Sequence, residues 1–262
     1  MAALEALIAA RGEAPVLSAP LLFADACSFP DRWSPDAHGV AALATRLLRH
    51  AGLAHLGVSI ETFEEERDID TVGLDGKAAS WSHAGAAAWF AGIRGTTCQF
   101  GIELGKLGDA LGLVAAMAHE VGHAYRAAHR LVHRDHDLEE RLTDVTTVYL
   151  GFGMLTTAAS ERFTSHSRDD LGSSYLHQRQ GYLAPHELGF LLGAQLRLRG
   201  YDPRTIKAIA CCLPANQAAA VHAAVRELDR AQVADQLGFV GLPAAQPPPA
   251  HLPRAWWKRL FG

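Results

Sequence analysis

Apolar residues in the first part of the chain recur with two different periods, which separate helical from extended segments. Residues 36–52 carry apolar groups three and four positions apart, the spacing of one face of an amphipathic helix. Residues 55–63 alternate between apolar and polar, and residues 86–93 and 98–104 have the length and composition of two further short strands. The connection between these last two strands, Arg-Gly-Thr-Thr, predicts a hairpin.

The pattern becomes helical again in the middle of the chain and stays so for most of the rest. Residues 110–130 are rich in Ala and Leu and contain no Pro, and Asp109 stands where a helix N-cap is expected. Residues 138–155 predict a second helix that is apolar on most sides. Pro185 and Pro203 stand at first-turn positions of two later helices. We therefore expect an α+β, predominantly helical fold, with a small antiparallel sheet beside the central helix and a helical C-terminal half.

Proline content marks a boundary near the C-terminus. The length and composition of residues 1–240 predict a single globular domain. Residues 241–254 form a proline-rich linker, which we expect to be extended rather than packed. Residues 255–262 form an aromatic and basic tail, AWWKRLFG, interpreted as a frayed end with its aromatic residues folded back, as a short amphipathic anchor, or as a peptide that docks on a partner.

Composition narrows the classes of partner and compartment. With 24 Lys and Arg against 28 Asp and Glu, the formal net charge is −4, so the chain lacks the basic excess of a nucleic-acid-binding protein. The N-terminus has no basic residue before Arg11, and no apolar run approaches the roughly 18 residues of a membrane helix. Four cysteines without CxxC spacing favour reduced thiols. These features predict a cytoplasmic protein with no stable membrane insertion.

The predicted central helix carries the motif HEVGH. His119 and His123 are four residues apart, so their imidazoles emerge on one side of the helix and can chelate a metal ion. Glu120 lies beside them and can reach an attacking water without being a ligand, which is the arrangement that HExxH hydrolases require. A chain with 14 histidines can contain this motif by chance. The preceding hairpin and the small apolar residues before His119 nevertheless favour a metal site.

Two residues compete for the role of third ligand. His129 lies ten residues after His119, as in the metzincin pattern HExxHxxGxxH, but Arg126 stands where that pattern requires glycine. If the helix continues, His129 is rotated by roughly 120° from His123 and points elsewhere. Glu140, on the second helix, is the favoured alternative, and it would complete a site for one zinc ion per chain.

The face of the second helix that carries Glu140 supports this assignment. Glu140, Thr143 and Asp144 fall at positions i, i+3 and i+4, so they face the first helix together. Asp144 can then accept the second N–H of a ligand imidazole and fix its tautomer. A capping box with Asp137 would account for Glu140 but not for the other two residues. Glu139 is the nearest rival ligand, and it lies off this face.

The two motifs together resemble the gluzincins, zinc metallopeptidases that include thermolysin and the CAAX prenyl endopeptidases. HEVGH at residues 119–123 and ERLTD at residues 140–144 are similar to the HExxH and the downstream ExxSD or ExxAD of that group. The resemblance implies a zincin-like core, with zinc bound by His119, His123 and Glu140, Glu120 as the general base, and Asp144 behind the ligands.

The resemblance covers only the stretch from the first motif to the second. The gap between them is shorter than in thermolysin, no calcium loops are recognisable, and the membrane helices of the CAAX enzymes are missing. Residues 145–155 and 179–183 also resemble segments of small bacterial HExxH proteins, which implies no substrate.

The function predicted from these features is that of a zinc-dependent peptidase acting on a peptide or protein. A side-chain donor for the oxyanion is expected in residues 173–183, where His177 and Tyr182 are favoured. The strand at residues 98–104 is expected to pair with an extended substrate. Two alternatives stay open: a zinc-binding protein without catalysis that acts in regulation or protein interaction, and a structural protein that docks partners through its tail.

Overall fold

The computed structural model describes residues 1–64, 87–168 and 172–252, and for residues 163–168 and 172–179 it describes the backbone alone. The helices in these residues are α1 (Ala2–Arg11), α2 (Ala14–Ser18), α3 (Ala37–His50), α4 (Ala110–Ala128), α5 (His136–Tyr149), α6 (Gly153–Ala159), α7 (Pro185–Leu198), α8 (Pro203–Ala210), α9 (Ala215–Glu227) and α10 (Arg230–Gln236). The strands are β1 (Gly57–Phe63), β2 (Ala88–Arg94), β3 (Thr97–Glu103), β4 (Glu161–Arg168) and β5 (Gly172–Arg179). The prediction of an α+β, mainly helical fold is confirmed.

The three-stranded sheet has the order β1-β3-β2. The predicted hairpin is confirmed, since β2 and β3 are antiparallel and join through a tight turn at Gly95, which has a positive φ of 59°. The expectation of an antiparallel sheet is wrong, because β1 pairs with β3 in parallel and makes the sheet mixed. Alternation of apolar residues identifies strands, but it does not say which strands become neighbours.

One face of this sheet packs on α4. Phe100 and Ile102 of β3 are buried in the main apolar cluster together with Met117 and Val121 of α4. On β2, the Trp89 ring lies over Gly101, where any Cβ would overlap it. The missing side chain lets Trp89 of β2 stand directly opposite Gly101 of β3.

The helix that carries HEVGH begins and packs as its sequence predicts. Asp109 caps α4 by accepting a hydrogen bond from the Gly112 N–H at 3.0 Å. Gly122, at the second variable position of the HExxH motif, faces α5 so closely that an added Cβ would lie 2.9 Å from Thr143 Cγ2. The glycine therefore allows the two helices to approach at the level of the histidines.

The second predicted helix is shorter than expected. Asp135 caps α5 by accepting from the Leu138 N–H at 2.9 Å, so Asp137 is not the N-cap and the capping-box interpretation of Glu140 is wrong. The helix ends at Tyr149, and Gly151, with a φ of 86°, separates α5 from α6. The sequence does not reveal this break, because α5 and α6 are both buried and the residues on either side of it are therefore apolar.

The C-terminal half confirms the helices that begin at Pro185 and Pro203. It also contains a hairpin that the sequence did not reveal, the antiparallel pair β4–β5. Both strands are rich in polar residues, so they lack the apolar alternation by which a half-buried strand is recognised. No helix in the described parts of the chain is long and apolar enough to cross a membrane.

The proline-rich segment is extended but it is packed, against expectation, as far as the structure describes it. The Arg230 side chain donates to the Pro243 carbonyl at 2.6 Å, and the Gln246 N–H donates to the Arg199 carbonyl at 2.8 Å. Leu252 contacts a second apolar cluster of the body. The body thus provides a donor for one carbonyl of the segment and an acceptor for one of its N–H groups. The predicted tail, residues 255–262, lies outside the described residues.

A buried ion pair joins the end of α4 to the start of α5. The Arg126 guanidinium donates two hydrogen bonds to the Glu139 carboxylate, both at 2.8 Å, and a third to the Leu131 carbonyl at 2.7 Å. The same carboxylate accepts from the His133 N–H at 2.7 Å. Burial disfavours the charged form of Glu139, but hydrogen bonds from His123 and Arg126 outweigh it and lower its pKa to about 2.

Replacing Arg126 by Met is expected to lower the free energy of unfolding by about 3–5 kcal/mol, because Glu139 would stay buried without its counter-charge. Arg141→Met provides the matched control. Arg141 also pairs with a glutamate, Glu187, at 2.8 Å, but this pair is exposed. Its loss is expected to cost less than about 1 kcal/mol. Chemical denaturation compares the two, and equal losses would contradict the assignment.

Candidate metal centre

Three potential ligand atoms meet between α4 and α5. The Nε2 atoms of His119 and His123 lie 3.0 Å and 3.2 Å from the same carboxylate oxygen, Oε2 of Glu140. All three side chains offer ligand atoms within 4.8 Å of one another. The sequence placed these residues on two helices, and the structure brings them together as predicted.

The remaining imidazole nitrogens have partners that fix the tautomer of each ring. His119 Nδ1 lies 2.8 Å from Asp144 Oδ1, to which it donates. His123 Nδ1 lies 3.2 Å from Thr143 Oγ1, whose own proton is donated to the Glu139 carbonyl at 2.9 Å. The hydroxyl therefore accepts from His123. Because Nδ1 is the donor in both rings, Nε2 is the atom of each that faces Glu140 and that would bind a metal ion once its own proton is lost, as in metal-binding histidines.

Asp144 is held from its other side by the backbone that follows β5. Its Oδ2 accepts from the N–H groups of Tyr182 and Leu183, both at 2.7 Å. The turn depends on Gly181, which has a φ of 89° and would place a Cβ 3.2 Å from Asp144 Oδ2. The Asp144 carboxylate is fully buried, and three donors fix its position: the His119 imidazole and the N–H groups of Tyr182 and Leu183. The segment RQGYL resembled other HExxH proteins in the sequence, and this contact gives it a physical role.

Glu120 is fixed by the sheet. Its Oε2 accepts from the Phe90 N–H of β2 at 2.7 Å, a contact that the sequence did not reveal. Burial raises the pKa of Glu120, and the neighbouring histidines only partly offset this effect. Because β3 is paired on both sides, the expectation that residues 98–104 bind an extended substrate is wrong. Among the strands that the structure describes, β2 lies at the edge of this sheet and beside the site.

The electrostatics of the cluster suit a cation. Burial disfavours the charged form of His119, but hydrogen bonds to Asp144 and Glu140 outweigh it and hold the pKa of His119 well above its ordinary value. The pKa of His123 is also raised, because Glu139 and Glu140 outweigh its burial. Burial opposes ionisation of Glu140 as well, yet hydrogen bonds from the two histidines lower its pKa. The cluster thus stabilises positive charge where a metal ion would bind.

The donor set and its spacing fit zinc. Two histidines and one glutamate are a recognised set for catalytic zinc, with bonds of about 2.0–2.2 Å that place tetrahedral ligands about 3.3 Å apart. The observed separations of 3.0 Å and 3.2 Å between ligand atoms need little adjustment to reach that value. Asp144 and Thr143 supply the hydrogen bonds behind the ligands that such sites require.

The alternative third ligand lies elsewhere. α4 continues to Ala128 and His129 is its C-cap, with Nε2 lying 3.4 Å from Arg11 Nη2 and its ring against Tyr125. The metzincin arrangement is therefore wrong for this chain. Arg126 prevents it by pairing with Glu139 and continuing the helix, instead of ending it as glycine would.

Tyr182 is beside the cluster. Its ring stacks on that of His119 with centroids 5.9 Å apart, and it is 48% exposed. His136, which the sequence analysis did not single out, lies near both, with Nδ1 3.5 Å from Glu140 Oε1. His177 is on β5 opposite Phe163, but its side chain lies outside the described part of the structure, so its predicted role stays a prediction.

Comparisons with protein-family models, with curated proteins and with solved structures find no match to this chain. The site is thus interpreted from its own geometry.

Asp144→Asn is expected to weaken zinc binding by about 10–100-fold, as for other residues behind metal ligands. An asparagine amide has one acceptor oxygen and one donor NH2 group. Its NH2 group must therefore face either His119 Nδ1, which loses its acceptor, or the N–H groups of Tyr182 and Leu183, which would be donor against donor. Competition with a chromophoric chelator measures the affinity. Asp137→Asn, at an exposed position of the same helix, is the control and should bind zinc as the native chain does.

Zinc affinity is expected to keep rising with pH above 6.5, the ordinary pKa of histidine. Protons compete with zinc for Nε2, and the raised pKa of both histidines extends this competition to higher pH. In the metal-free protein their protonated forms contribute stability below pH 6.5 that is lost as the pH rises through the raised pKa values. Chelator competition across the pH range tests this, and an affinity that levels off by about pH 7 would contradict it.

Proposed function

We propose that this protein is a cytoplasmic zinc peptidase of the gluzincin type with a zincin-like core. One observation supports this most directly. His119 Nε2, His123 Nε2 and Glu140 Oε2 converge on one point, while Glu120, which is not among them, is held beside that point by β2. A purely structural zinc site would not need a carboxylate such as that of Glu120 beside its ligands, because structural sites use all their donors as ligands.

When bound, zinc supplies Lewis-acid chemistry, lowering the pKa of a water ligand and polarising the carbonyl of the scissile peptide bond. Glu120 accepts the proton of the attacking water on Oε1, because Oε2 is engaged by the Phe90 N–H. Burial raises the pKa of Glu120, which favours uptake of this proton, and Glu120 then passes the proton to the leaving amine.

The residues behind the ligands keep the site ready for this chemistry. Asp144 and Thr143 hold the Nδ1 protons of His119 and His123, so both Nε2 atoms stay available as ligands. Because Asp144 is also held by two backbone N–H groups, it cannot turn away to accept other donors. The geometry is therefore present before substrate binds.

Tyr182 and His177 are the proposed donors to the oxyanion. Burial and the surrounding carboxylates raise the pKa of Tyr182, so its hydroxyl stays protonated and able to donate. Its half-exposed ring next to His119 is consistent with contact to a substrate carbonyl. His177 is included on the basis of the sequence alone, because the structure describes only its backbone.

We propose that an extended peptide binds alongside β2. This strand lies at the edge of the described sheet, and its Phe90 N–H holds Glu120.

Glu120→Gln separates zinc binding from catalysis. This variant is expected to keep its zinc, because Glu120 is not a ligand, but to lose cleavage by about 10²–10⁴-fold, the usual contribution of a general base. Glu140→Ala should lose both zinc and cleavage, and His129→Ala should keep both. The measurements are metal content and mass-spectrometric detection of new termini in a complex peptide mixture.

The outcomes discriminate between functions. Zinc without any cleavage that depends on Glu120 would mean that the protein binds metal but acts as a non-catalytic regulatory or interaction protein. No zinc in the native chain, even after refolding with the metal, would leave the histidines as core residues and overturn the proposal. Loss of zinc in His129→Ala would contradict the ligand assignment.

A further inference from the structure

A second cluster of metal-ligating side chains lies away from the α4–α5 site. Asp25, Cys27 and His251 offer a carboxylate oxygen, a sulfur and an imidazole nitrogen within 4.8 Å of one another. Asp25 Oδ2 lies 3.1 Å from His251 Nε2. The residues come from opposite ends of the chain, so their meeting is a product of the fold rather than of sequence spacing.

Asp25 and Cys27, the two residues of the cluster that lie near the N-terminus, belong to a turn that hydrogen bonds hold in place. Asp25 Oδ1 accepts from the N–H groups of Cys27 at 3.1 Å and Ser28 at 2.8 Å, which leaves Oδ2 directed at His251. Ser28 Oγ accepts from the Phe23 N–H at 3.0 Å and ties the turn to the preceding chain. The carboxylate and the sulfur are therefore held on one side before any ion binds.

The C-terminal half is brought in by the proline-rich segment. Its contacts through Pro243 and Gln246 lay the chain along the body, and Leu252 anchors it in the second apolar cluster directly after His251. His251 is half exposed and meets the body through Asp25. The imidazole is thus placed at the turn by its neighbours on both sides.

We propose that Cys27, His251 and Asp25 bind a divalent cation of borderline softness, with zinc as the first choice, and that this ion clips the proline-rich segment to the N-terminal turn. Thiolate, imidazole and carboxylate are all common zinc ligands, and thiolate disfavours magnesium and calcium. A tetrahedral ion needs neighbouring ligand atoms about 3.3 Å apart, close to the 3.1 Å between Asp25 and His251. The fourth position is open to solvent, because Cys27 and His251 are exposed.

Metal binding at this site would stabilise the folded state relative to the unfolded chain. The ion would join residues 27 and 251, and closing so long a loop removes many conformations from the unfolded chain. This site offers a cysteine sulfur, whereas the α4–α5 site offers only nitrogen and oxygen ligands. The two ions are therefore distinguishable by spectroscopy, and this inference does not rest on the peptidase proposal.

Cobalt(II) is the probe for the test. Added to the metal-free full chain, it is expected to give a sulfur-to-cobalt charge-transfer absorption from the Cys27 site only. Cys27→Ser and His251→Ala should lose this absorption and bind one zinc ion fewer than the native chain. Glu140→Ala should also lose one zinc ion but keep the absorption. Cys211→Ser, at another exposed cysteine outside both clusters, is the matched control and should change neither quantity.

Thiol alkylation followed by peptide mapping gives a second readout. Zinc is expected to slow the modification of Cys27 but not that of Cys211, and a chelator should restore the rate at Cys27. The proposal is overturned if the native chain shows no charge-transfer absorption and zinc leaves the alkylation of Cys27 unchanged. It is also overturned if Cys27→Ser and His251→Ala keep the full zinc content. Failure of peptide cleavage would not affect either result.

Discussion

The close approach of α4 and α5 at Gly122 is the contact on which the site depends. With no side chain at this position, the two helices come near enough for Thr143 to reach His123 and for Asp144 to reach His119. Glu140, one turn before Asp144, then meets both Nε2 atoms. A larger residue would separate the helices and break all of these contacts together, because they share one interface.

The same interface concentrates charge in a largely buried region. Glu139, Glu140 and Asp144 are all buried, and each carboxylate is matched by a different kind of donor. Glu139 has a guanidinium, Asp144 has an imidazole and two backbone N–H groups, and Glu140 has the two imidazole edges that a cation would bridge. Burying carboxylates is tolerated only with such compensation. The arrangement therefore compensates the buried charges of the helix pair and leaves Glu140 as the carboxylate that faces both Nε2 atoms.

Two further elements complete the site from outside the helix pair. β2 holds Glu120 through the Phe90 N–H, and the turn at Gly181 holds Asp144 through Tyr182 and Leu183. Both contacts come from backbone N–H groups, whose positions follow from the fold and vary little with side-chain identity. Glu120 and Asp144 are therefore positioned by elements of the fold, while the ring of Tyr182 beside them stays half exposed.

The sequence by itself was sufficient wherever a property depends on residues close together in the chain. The spacing of His119 and His123, the shared face of Glu140 and Asp144, and the cap at Asp109 follow from helix geometry alone, and the structure agrees with each. Tertiary structure decided what depends on distant partners: the parallel pairing of β1 with β3, the Phe90 contact to Glu120, and the meeting of Asp25 with His251. Local periodicity reports which face of an element is apolar, but it carries no record of which other element covers that face.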